Sequence, residues 1–163
     1  MSEFLGDTAS SASEKPGRPE TAVTLSTARR MLPLVRHIVD EIVQTRQELG
    51  KLFPEQGRLH KLRHNLAWPD RERRYQVQDD ICQREATSLE ALAELESLGV
   101  VLMDGDTGRV GFPTTVNGHR AFFSWQPGED GIRRWHYAGE VIRRNIPPAW
   151  EEAIEKPTSN SRR

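Results

Sequence analysis

Apolar residues along the chain follow two periods, and the change between them falls near residue 99. Val35, Ile38, Ile42 and Leu49 recur at spacings of three, four and seven, which places them on one stripe of a helix. That pattern predicts a helix from Thr24 to about Phe53, with the hydroxyl of Thr24 or Ser26 accepting an orphan amide hydrogen bond at its start. Pro33 lies inside it and predicts a kink or a separate first turn, because proline removes a donor and crowds the preceding turn. Pro54 and Gly57 then break the pattern, and residues 55–69 read equally as a helical turn or a loop. A second helix is expected from Asp70, with Tyr75, Ile81, Leu89, Leu92, Leu95 and Leu98 as its apolar positions and Gly99 as its stop.

Beyond Gly99 the period becomes that of strands. Residues 100–103, 109–112, 120–125 and 132–137 are short β-rich runs, separated by turn-forming clusters at 104–108, 117–118 and 127–131. Asn117-Gly118 is the strongest hairpin signal, since a type I′ turn needs positive φ at both central residues. Residues 139–150 are expected to add a short helix or an irregular wrap. The expected class is therefore α+β: a long antiparallel helical hairpin packed on a small antiparallel β-meander, forming one domain over residues 23–150.

Composition adds ends to this domain. Residues 1–22 are rich in Ser, Glu, Pro and Gly, which predicts a disordered leader, and 151–163 reads as a flexible tail. With 163 residues, 36% of them hydrophobic, and a mean hydropathy of -0.68, the core is modest and large multi-domain architectures are excluded. Lys and Arg number 23 against 24 Asp and Glu, a net charge of -1, so any nucleic-acid or membrane attraction must be local. One cysteine, Cys82, makes neither an intramolecular disulfide nor a Cys-rich zinc site, and no apolar run approaches the ~20 residues of a membrane span. The expected setting is the cytoplasm, with no membrane partner.

Several strings carry a family resemblance: residues 24–42, TLSTARRMLPLVRHIVDEI, then LESLGVVLMD, GRVGFP, FFSWQPGE and IRRWHY. Their ordered set Leu32-Pro33, Leu98-Gly99-Val100, Phe112-Pro113, Trp125 with Gly128-Glu129, and Trp135-His136 resembles the bacterial family catalogued as domain of unknown function 2203. The resemblance implies a helical hairpin with a small sheet and lends no activity. Family members usually carry an acid where Gly111 stands and another where Tyr137 stands, so any ligand site built on those acids is weakened here.

Three clusters carry candidate chemistry. His136 with Glu140, and with Glu129 and the acidic turn Asp104/Asp106, has the residue types of a zinc, iron or manganese site, and His136 and Glu140 share a face if that stretch is helical. This reading makes a metal-dependent enzyme with a divalent metal cofactor; the alternative is a structural histidine. Asp104 to Gly108 looks like a calcium loop but lacks the third acid and the Glu at its twelfth position, so a hairpin turn is the better reading. Arg63, Arg71, Arg73 and Arg74, with Arg58, Lys61, His60, His64, Trp68 and Tyr75, form a basic hairpin tip of net +4 over residues 58–74. Nucleic acid is a partner such a tip can take, although a solvated, salt-bridged tip is the plainer account. Trp125 and Trp135 are expected to face each other on adjacent strands, as core or interface anchors.

Nucleophile elbows, phosphate loops and dinucleotide fingerprints are absent from the sequence. Acid-rich residues 85–106 oppose the basic tip, a polarity suited to antiparallel self-association. The leading expectation is a non-enzymatic interaction module that forms a homo-oligomer or binds a protein partner through the apolar stripes of its two helices.

Overall fold

A computed structural model describes residues 22–155, which lie in the order α1 (Leu25–Lys61), α2 (Trp68–Ser97), β1 (Val101–Asp104), β2 (Arg109–Val116), β3 (His119–Trp125), β4 (Arg134–Tyr137), β5 (Arg144–Asn145) and α3 (Pro148–Glu155). The expected leader up to residue 21 and the expected tail from residue 156 lie outside the described residues. The five strands form one antiparallel sheet in the order β1-β2-β3-β4-β5, so the class is α+β: two long helices followed by a meander. Helix α3 runs beyond residue 150, where the sequence puts the start of a flexible tail.

The ends of the helices obey local rules. Thr24 caps α1, its Oγ1 accepting from the Thr27 amide at 3.2 Å. At the end of α2, Gly99 adopts φ 75° while its amide bonds the Glu96 carbonyl and the Val100 amide bonds the Leu95 carbonyl, so the last turn closes and the chain reverses into β1.

Two prolines act differently from expectation. Helix α1 is continuous for 37 residues, about 55 Å, with both Pro33 and Pro54 inside it. Both lie on the exposed side of the helix, where the loss of one i−4 hydrogen bond leaves a carbonyl facing solvent and not the core. Past Pro54 the helix is held by tertiary packing: Leu59, fully buried, meets Leu66, Val77 and Ile81 of the returning chain. The stretch 55–61 is thus helix, and α2 begins at Trp68 with Pro69 in its first turn.

The core has two unequal parts. Eighteen buried residues, from Leu25 to Ile42 on α1 through Ala91 and Leu95 on α2 to Phe112, Phe123, Trp125 and Trp135 on the sheet, form the main cluster. The hairpin beyond it has only Leu59, Leu66, Val77 and Ile81, flanked by Leu49 and Leu52. Tyr75 and Leu89, expected on the inner stripe of α2, are 72% and 67% exposed. Leu89 stands six residues from buried Leu95, about 120° around the helix, and Ala91 takes the inward place.

Register orders the sheet. Val116 pairs with His119 across a two-residue turn in which Asn117 and Gly118 have φ 52° and 78°, as the Asn-Gly signal predicts. Phe123 opposes Phe112 on one side and Trp135 on the other, so these rings lie on the helix-facing side. Trp135 therefore faces Phe123, and Trp125 faces Val110; the two tryptophans do not form the expected pair.

Candidate functional site

Three places gather chemistry-bearing side chains, and the sheet's second face is the first. Alternation along β3 and β4 puts Phe122, Ser124, Arg134 and His136 there, since Phe122 opposes His136 and Ser124 opposes Arg134. His136 is buried, its Nδ1 lies 2.9 Å from the Tyr137 carbonyl, and its ring is tilted on Phe122 at 5.7 Å. A proton on Nδ1 satisfies that carbonyl and leaves Nε2 as the acceptor. Ser124 is fully buried, and its Oγ has no hydrogen-bond partner among the described residues.

The carboxylates around His136 are committed to arginines. Residues 138–143 are not helical, so the shared helical face expected for His136 and Glu140 does not form. Glu140 instead accepts two hydrogen bonds from Arg144, at 2.6 and 3.1 Å, which hold its carboxyl below the usual range. Glu129 is gripped by Arg143 at 2.9 and 2.8 Å and caps the Gln126 amide at 3.1 Å. Asp104 accepts from the amides of Asp106 and Thr107, which depress its carboxyl, and Asp106 pairs with Arg46 at 3.2 Å. Asp104 to Gly108 is thus a turn closed by its own aspartate. Among the described residues no group of three or more His, Cys, Asp or Glu is placed to hold a metal ion. Sequence reading found Glu129, Glu140 and His136 but missed Arg143, Arg144 and Ser124. The arginines lie 14 and 4 residues from the acids they hold, and only the i,i+4 spacing of Glu140 and Arg144 was a usable signal.

The hairpin tip is the second place. Arg73 is neutralised by Glu55 through bonds of 2.7 and 2.9 Å, which also hold the Glu55 carboxyl below its ordinary range. Among the described residues Arg63 and Arg71 donate only to the carbonyls of His60 and Leu66, at 3.1 and 3.0 Å, and neither meets a carboxylate there. Trp68 and Tyr75 stand 75% and 72% exposed.

The tryptophans of the sheet are core residues. Trp125 is buried, donates Nε1–H to the Glu129 carbonyl at 3.1 Å, and lies under the Arg36 guanidinium at 5.4 Å. Trp135 is buried beneath Arg144 at 5.2 Å. Cys82 is exposed.

The model of the family described as Uncharacterized conserved protein (DUF2203) matches residues 22–144. The chain belongs to this family. Neither the curated proteins nor the solved structures contain a match to it. The DUF2203 region holds both long helices, β1 to β4 and the first residue of β5, and it ends before α3. Trp150 of α3 packs on Trp135 at 5.2 Å and on Phe123 at 6.4 Å, so the DUF2203 core is completed by a residue outside the matched segment.

That junction is the third place. A cavity of about 1000 Å³ opens between the start of α1, the β2–β3 hairpin and Trp150. Two cations line it, Arg29 and the exposed Arg30, and Arg29 is engaged by Glu151 at 2.8 Å. No helix of the described residues is long and apolar enough to cross a membrane.

Proposed function

We propose that this DUF2203 protein is a non-enzymatic, cytoplasmic interaction module whose hairpin arm, the part of α1 and α2 beyond the sheet, pairs with a second copy of the chain. The supporting observation is the thinness of the arm: four buried apolar residues hold it together, while Phe53, Leu62 and Leu89 remain 45%, 50% and 67% exposed along it. A two-helix arm buries too little to be rigid alone, and a second pair of helices laid against it covers part of that exposed apolar surface.

Charge favours an antiparallel arrangement. Residues 58–74 carry six Arg and Lys against Asp70 and Glu72, whereas 79–96 carry Asp79, Asp80, Glu85, Glu90, Glu94 and Glu96 against Arg84 alone. Antiparallel arms set each basic tip on the other's acidic midsection. The stripes expected to form the interface, Val35, Ile38 and Ile42 with Ile81 and Leu95, are spent inside each chain, so the contact falls to the exposed residues of the arm.

Sedimentation velocity from low to high micromolar concentration tests this reading. A monomer–dimer equilibrium that weakens with salt supports it; a strict monomer throughout rejects it. The metal-enzyme reading has no comparable support, since Glu129 and Glu140 are each held by an arginine.

A further inference from the structure

We infer that one side of the hairpin tip is a binding site for single-stranded nucleic acid. Trp68, Arg71 and Tyr75 stand at i, i+3 and i+7 on α2, and seven residues turn a helix almost twice, so both rings project on one side, about 10.5 Å apart along the axis. Each ring is about three-quarters exposed, although large aromatic groups normally gain by burial. Beside Tyr75 the side continues into an open groove of about 520 Å³ lined by Phe53, Gln56, His60, Arg74, Tyr75 and Gln78. Gln56 and Gln78 are joined there by a 2.7 Å hydrogen bond, donated by Gln56 Nε2, that leaves the Gln56 side-chain Oε1 as an acceptor. Among the described residues Arg74, Arg58 and Lys61 have no acidic partner within bonding distance, and Arg71 spends its Nε–H on the Leu66 carbonyl.

The arrangement selects its ligand by two criteria at once. Uncompensated guanidinium and ammonium groups attract a polyanion, and bare rings between them offer faces on which bases stack. An acidic protein satisfies the first criterion and can bury a ring, but it presents no succession of flat faces spaced along a polyanion. A duplex keeps its bases stacked on one another, so it satisfies only the first as well. Single strands use both, and amides at the groove offer hydrogen bonds to a base edge. The site draws on the same cations, and on Phe53, that the proposed arm pairing uses, but Trp68 and Tyr75 belong to it alone, so the ring substitutions separate the failure of one reading from that of the other.

The test is fluorescence anisotropy of a labelled 12-nucleotide oligouridine RNA and an oligothymidine of equal length, titrated with the full chain at several salt concentrations. We expect binding at low salt with log affinity falling linearly against log salt. Trp68→Ala and Tyr75→Ala each weaken it about tenfold with little change in slope. Arg74→Ala flattens the slope by about 0.7. Stronger binding of either strand identifies the preferred backbone and supports the site. Trp68 and Tyr75 are largely solvent-facing and Arg74 is half-buried, so far-UV circular dichroism of each variant verifies the helices. Absence of binding at low salt overturns the inference. So does affinity untouched by both ring substitutions, or equal displacement by polyglutamate, which marks the tip as a surface for acidic protein.

Discussion

The two halves of this molecule are made of the same helices and differ in what those helices lean on. Near the sheet, α1 and α2 close over Phe112, Phe123, Trp125 and Trp135, and eighteen buried residues share one cluster. In the arm they lean only on each other, through Leu59, Leu66, Val77 and Ile81. Free energy from apolar burial scales roughly with area, so the sheet half carries global stability and the arm sits nearer the threshold of local opening. Polar chemistry divides along the same line. Acids in the sheet half are fixed by Arg143 and Arg144; the arm pairs Arg73 with Glu55 and Arg84 with Glu48 but leaves Arg63, Arg71 and two aromatic rings facing water.

The sharpest way to break this contrast is to truncate the sheet half. Phe112→Ala or Trp135→Ala should lower unfolding free energy by about 3–5 kcal/mol, read by denaturant unfolding with circular dichroism. An unchanged midpoint for either denies the sheet its leading role. Next in size, Ile81→Ala should cost about 2–4 kcal/mol, but locally. Amide exchange should accelerate through residues 55–81 while strands β2 and β3 keep their protection, and uniform loss across both halves would make the arm and the sheet one cooperative unit.

Acid should then loosen the arm modestly. Arg73 depresses the Glu55 carboxyl in the folded protein, so its contribution is complete above the ordinary glutamate range and is lost as pH falls through the lower folded value. The melting temperature should fall on acidification, and Glu55→Gln should remove part of that dependence. Last, Cys82→Ala on the exposed side of α2 should change stability by under roughly 0.5 kcal/mol.

Legibility followed the range of the interactions. Thr24, Gly99 and Asn117-Gly118 announce themselves because a cap or a turn is settled by residues a few positions apart. The passage of α1 through Pro54 could not be read, since the burial of Leu59 that sustains it depends on Val77 and Ile81 across the hairpin. Trp125 and Trp135 were legible as core but not as non-partners, because register decides which residues oppose and a shift of two keeps every ring on the same face. At His136 the residue types were visible and the arginines that occupy the acids were not; Arg143 reaches Glu129 only because the chain turns back beside β4. The tip differs: its composition is plain in the sequence, but which cations stay unpaired and which rings stay bare depends on side-chain placement.

The central claim, that the arm pairs antiparallel with a second copy, is tested most directly at Cys82, the chain's single cysteine and an exposed residue within the arm. A nitroxide placed there gives one label per chain, so any defined dipolar distance in a pulsed electron-resonance measurement is intermolecular. The account predicts a narrow distance distribution whose amplitude grows with protein concentration and shrinks with salt. A featureless background at concentrations up to high micromolar would contradict it.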